Sequence, residues 1–132
     1  MKKLVISAAA LFAMMAFGQD HAALRQAMKT AGASFGAARK GVDAKDAAAT
    51  EQAAQKLAGA FPTVRGHFEE HKMQDGVDFA STAEKASRSL AEAAKAGNWD
   101  QASADVKTIG GTCQGCHAAH REKLPDGSYK MK

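Results

Sequence analysis

Cys113-Gln114-Gly115-Cys116-His117 contains both cysteines of the 132-residue chain, with a histidine directly behind the second. Two thiols three residues apart can add across the two vinyl groups of a haem, while the adjacent imidazole reaches the iron from one face. The segment therefore reads as a c-type haem attachment site. Three other chemistries use the same residue types. A thioredoxin-like pair needs a βαβ framework, and no alternating or β-branched run that would make strands is found. A structural zinc site could recruit Cys113, Cys116, His117 and His120, but zinc spacings usually set two ligand pairs a dozen or more residues apart, so that two elements are pinned together. A Cys113–Cys116 disulfide is the plain option for an exported protein.

The start of the chain points to export. Met1-Lys2-Lys3 is basic, residues 4–17 form an uncharged run of apolar and small residues, and Ala16-Phe17-Gly18 precedes polar Gln19 and Asp20. This is the n-region, h-region and small-residue cleavage site of a signal peptide. The run of about fourteen residues is short for a bilayer span. The expected destination is the periplasm, with no membrane span after cleavage, since haem is joined to such motifs outside the bacterial inner membrane. Removing residues 1–18 takes away Lys2 and Lys3 and lowers the formal charge from +4 to +2. The remaining 114 residues make one domain by length. The basic residues are scattered along the chain and are not interleaved with aromatics, so nucleic-acid binding is not expected.

Four helices are expected in the rest, forming an all-α, antiparallel up-down-up-down four-helix bundle. The first starts after Asp20, carries Leu24, Met28, Ala31 and Phe35 on one stripe, and stops at Gly41. The second starts at Asp43 or Asp46 and runs toward Glu70, kinked or divided by Pro62. Asp75-Gly76 marks a turn, a third helix covers residues 78–95, and Gly97 closes it. The fourth is capped by Asn98 and carries Trp99, Ala102, Val106 and Ile109 toward Cys113, Cys116 and His120. Gly110-Gly111 weakens it by about 1 kcal/mol per glycine. Gly32 and Gly36 leave room either for a flat macrocycle or for a neighbouring helix. Pro125 and Asp126-Gly127 end the helical pattern, leaving residues 124–132 as a tail. His21 is expected in solvent, and His67 and His71 on a solvated face. Met73 in a loop and Met131 in the tail are not expected to bind a metal. With only 6% aromatic residues, the core is thin, and a bound macrocycle would supply much of its apolar area.

Cys113-x-x-Cys116-His117-x-x-His120-Arg121 at the end of an all-helical chain resembles the class II c-type cytochromes, the cytochrome c′ family. Met28-Lys29-x-x-Gly32 is similar to the segment that carries the methionine ligand in their six-coordinate members. The resemblance implies Cys113 and Cys116 as thioether anchors of a single haem c and His117 as proximal iron ligand. It implies Met28 as the second ligand, and Arg121 as the basic residue beside the propionates. His120 departs from the usual aromatic and reads as a packed, hydrogen-bonded ring. The function implied is electron transfer without substrate chemistry, in exchange with redox partner proteins. The alternative is a five-coordinate cytochrome c′ that binds nitric oxide or carbon monoxide, with Met28 or Leu24 walling the distal pocket. No distal acid–base pair supports an enzyme. Related proteins often form homodimers through their first two helices.

Overall fold

The computed structural model describes residues 8–132, with side chains from residue 22 onward. Four helices pack in sequence order: α1 (Ala8–Asp43), α2 (Ala47–Glu70), α3 (Gln74–Lys95) and α4 (Trp99–His120). Their connections are three residues long, so each helix runs antiparallel to the one before it. This is the expected up-down-up-down bundle. Among the described residues, no helix is long and apolar enough to cross a membrane.

The three connections are built alike. In each, the residue two beyond the helix donates its N–H to the carbonyl three positions back, and the next residue to the carbonyl five positions back: Lys45 to Val42 and Asp46 to Gly41, Lys72 to Glu69 and Met73 to Phe68, Gly97 to Ala94 and Asn98 to Ala93. The first donor of each pair has left-handed backbone, with φ of 51° at Lys45, 56° at Lys72 and 69° at Gly97. This is the Schellman closure of a helix. The second donor then serves as N-cap of the following helix. Asp46 accepts from the Ala49 N–H at 3.0 Å and Asn98 from the Gln101 N–H at 3.1 Å.

Several boundaries differ from expectation. The Ala-, Leu- and Met-rich run before Asp20 is itself a helix former, and α1 begins at Ala8 instead of after Asp20. The leader expected over residues 1–18 and the placement of His21 fall on side chains outside the described residues. Gly41 does not stop α1. It lies where α1 meets Thr50 of α2, and a Cβ there would collide with the Thr50 hydroxyl and sit 3.1 Å from its backbone nitrogen. Asp75-Gly76 is the first turn of α3, and the chain reverses at Lys72. Pro62 lies inside a continuous α2, where buried Phe61, Val64 and Phe68 on either side hold the helix against the core. The tail is ordered. Strands β1 (Arg121–Lys123) and β2 (Tyr129–Met131) form an antiparallel hairpin, Arg121 opposite Met131 and Lys123 opposite Tyr129. Gly127, at φ 85°, makes its turn.

The core is alanine-rich, with Leu57, Phe68, Leu90 and Ile109 as its largest fully buried side chains. Between α2 and α3, Glu84 is 10% exposed and accepts from Arg65 and from Arg88, the latter at 2.8 Å. Burial raises the Glu84 pKa, but hydrogen bonds from Arg88 and Arg65 and their charge outweigh it, so the carboxyl is held below its usual range. α1 packs along α2, α2 along α3 and α3 along α4. α1 and α4, the two ends of the series, touch only sparsely. An under-packed seam is left between them.

Candidate functional site

The Cys113–His117 segment lies in the last two turns of α4. Cys113, Cys116 and His117 stand at i, i+3 and i+4, hence on one side of the helix. Both thiols are free and half-buried against the edge of the core. Burial pushes both pKa values up, and Cys116, also facing Cys113 and the Asp75 carboxylate, reaches about 11. Dithiol redox centres use a lowered thiol pKa, so these are not thiolates poised for exchange. The His117 pKa is lowered by burial and by the Arg121 charge. That favours the neutral imidazole, the form with a lone pair for a metal.

The partner across the seam follows from one contact. A Cβ at Gly110 of α4 would lie 3.4 Å from Cζ of Phe35 in α1, so these two residues fix the level at which the helices meet. The helices are antiparallel, and seven residues span about 10 Å of helix. Seven positions toward the start of α1 from Phe35 is Met28; seven toward the end of α4 from Gly110 is His117. Met28 and His117 therefore stand at one level on opposite walls of the seam. Met28 is half-buried and packs against the core. By the same register, Gly32 faces the level of Cys113. A Cβ at Gly32, Gly36 or Gly111 would meet no atom within 4 Å. Gly32 and Gly36 thus do not serve close helix approach, and the space beside them stays open. A flat apolar group fits this donor set: two thiols and an imidazole on one wall, a thioether on the other, and glycine between.

Arg121 ends α4, and its guanidinium lies 3.8 Å over the Tyr129 ring of the hairpin. Stacking uses the flat face and leaves the N–H edge available for an anion. His120 points elsewhere. It is 8% exposed, rests against Phe68 at 4.7 Å between centroids, and shares a 2.9 Å hydrogen bond between Nε2 and Asp75 Oδ2. Its carbonyl accepts from the Lys132 N–H at 3.0 Å. His120 is thus the hydrogen-bonded ring expected, binding α4 to the start of α3 and to the hairpin. Among the described residues, no group of three or more His, Cys, Asp or Glu is placed to hold a metal ion, so the four-ligand zinc arrangement is not formed. Nor is there a βαβ unit, the hairpin being the only sheet among these residues.

His67 is buried, contrary to expectation, with its ring edge-on to Phe68 at 5.5 Å and 4.5 Å from His71. It shares the core face of α2 with Val64 and Phe68, a placement that the flanking Glu69, Glu70 and Lys72 conceal in the sequence. Met73 and Met131 are half-buried against the core. Sequence reading missed Asp75 as the acceptor for His120, because the two are 45 positions apart. It also missed Phe35 as the residue that sets the seam's register. No family model, curated protein or solved structure matches the chain.

Proposed function

We propose that this chain is an exported, periplasmic monohaem c-type cytochrome that carries electrons between partner proteins and transforms no substrate. Cys113 and Cys116 would hold haem c, and His117 and Met28 would be the residues that ligate its iron. The observation that carries the reading is the shared level of Met28 and His117 across the under-packed seam, fixed by the Phe35–Gly110 contact. When bound, the haem supplies a reversible one-electron couple. The chain's residues do the rest. His117 offers a neutral imidazole, and Met28 a thioether, which as second ligand raises the reduction potential. Arg121 presents its N–H edge to propionate charge. Phe35 and Val106, half-buried against the core, supply apolar lining. A side chain on each wall favours a fixed coordination shell, in which electron exchange needs little rearrangement.

The test is the mass and visible spectrum of the chain produced with a haem-attachment system, oxidised and dithionite-reduced, with and without carbon monoxide. The expected result is one added haem and a low-spin spectrum slow to respond to carbon monoxide, with Met28→Ala converting it to a high-spin form that binds the gas at once. An unmodified mass sinks the haem reading. A high-spin wild type, unchanged by Met28→Ala, replaces electron carriage with gas binding.

A further inference from the structure

The fold sorts charge that looks scattered along the chain. The seam runs between residues 22–42 of α1 and 106–121, the end of α4 with the first hairpin residue, stretches bounded by Asp43, Asp105 and Glu122. Together they hold six Lys and Arg and not one Asp or Glu, in a chain with 14 acidic residues. The six are Arg25, Lys29, Arg39, Lys40, Lys107 and Arg121. None forms an ion pair among the described residues, whereas Arg65 and Arg88, on the far side of the bundle, are both spent on Glu84. Arg39 lies 5.9 Å from the Phe35 ring centre, a contact that leaves its charge uncompensated, while Arg121 rests on Tyr129 and is the one of the six that a propionate would neutralise. Arg25, Met28, Gly32, Phe35 and Arg39 recur at spacings of three and four, so both arginines flank the residues that wall the seam. Counted as whole helices, α1 from residue 22 and α4 carry five Lys and Arg against three carboxylates, Asp43, Asp100 and Asp105, whereas α2 and α3, which form the opposite side, carry seven carboxylates against five Lys and Arg.

We propose that the positive rim of the seam is the docking face for an acidic partner protein, the one with which electrons are exchanged; this rests on the proposed function. A rim of one sign around the opening to a buried redox group focuses an oppositely charged partner onto it and raises the encounter rate. A membrane surface is the poorer occupant, because lasting attachment also needs apolar side chains to bury in the lipid. Tyr129, half exposed, is the only large apolar side chain so placed among the described residues.

The test uses the full haem-loaded chain and two oxidants of opposite charge, hexacyanoferrate(III) and tris(phenanthroline)cobalt(III). Between low and high salt, the rate with the anion is expected to fall about tenfold and the rate with the cation to rise, because screening removes attraction in one case and repulsion in the other. The triple variant Lys29→Glu, Arg39→Glu, Lys107→Glu is expected to reverse both trends with its spectrum unchanged. Equal salt dependence for the two reagents, or trends that survive the triple variant, overturns the proposal while leaving the haem intact. A readout independent of the haem comes from amide NMR shifts on adding poly-L-glutamate. They should be confined to residues 22–42 and 106–121, and shifts spread over α2 and α3 would count against the rim. Sedimentation with phosphatidylglycerol vesicles, lost in the triple variant, would assign the face to a membrane instead.

Discussion

Replacing glycine by alanine within a helix should have opposite effects at two places in this bundle. At Gly59, in the middle of α2 and exposed, an added Cβ meets no atom within 4 Å. Only the helix-propensity gain of about 0.5–1 kcal/mol remains. At Gly76, in the first turn of α3, the same carbon would lie 2.7 Å from Cε1 of Phe68 and closer still to Cγ and Cδ1. Phe68 cannot yield easily, because it is 2% exposed and held between His67 and His120. Such overpacking costs about 1–3 kcal/mol, and the propensity gain is smaller at a helix end. Gly76→Ala should therefore be destabilised by about 1–2 kcal/mol and Gly59→Ala stabilised by up to about 1 kcal/mol. At about 4–8 °C per kcal/mol for a domain near this size, the two melting temperatures should differ by about 10 °C, with wild type between them. Urea unfolding followed by helical circular dichroism measures this directly. A Gly76→Ala protein as stable as wild type would show that the α2–α3 end is loosely packed, and the reasoning about His120 would fall with it.

Two further outcomes follow from the titrating groups. Glu84→Gln should cost about 1–2 kcal/mol near neutrality through the weakened hydrogen bonds of Arg65 and Arg88. The folded carboxyl titrates below its unfolded value, so its contribution is complete above about pH 4.3 and lost as pH falls through the folded value. The gap between variant and wild type should therefore close in acid, and a gap that widens from pH 7 to pH 3 refutes the pairing. In the haem-free chain, the Cys116 pKa of about 11 should make alkylation by iodoacetamide at pH 8 about an order of magnitude slower than that of an ordinary thiol. The thiolate fraction drops by about two orders and its higher nucleophilicity restores about one. Rapid alkylation of both cysteines at pH 8 would contradict the burial seen at the motif.

The helical content was legible because it is written locally. Apolar spacing, the Asp46 and Asn98 caps and Gly97 each speak within a few residues. Glycine misled where its purpose was close approach: Gly41 makes room for Thr50 and Gly76 for Phe68, and both look like turn signals in one dimension. The real reversals before α2 and α3 put a lysine in the left-handed region, where glycine is the usual marker. The hairpin escaped notice because three-residue strands carry almost no periodic signal. At the candidate site, the cysteines and histidine were readable as a motif. The level of Met28 depends on the Phe35–Gly110 contact, 75 positions apart, and the positive rim on bringing residues 22–42 beside 106–121. Neither is visible without the fold.

The sparse contact between α1 and α4 also decides what kind of mechanical object the bundle is. Three tight turns and three packed interfaces join the helices as a folded strip, with two free margins where a barrel would have a fourth joint. Each outer helix is held along one flank, so α1 and α4 can each loosen without disturbing the other, and amide exchange should be slowest in the α2–α3 pair. A rigid group bonded to one margin and ligated by the other would close the strip into a cylinder. Opening either outer helix would then mean breaking that ligation, and four separately yielding elements would unfold as one.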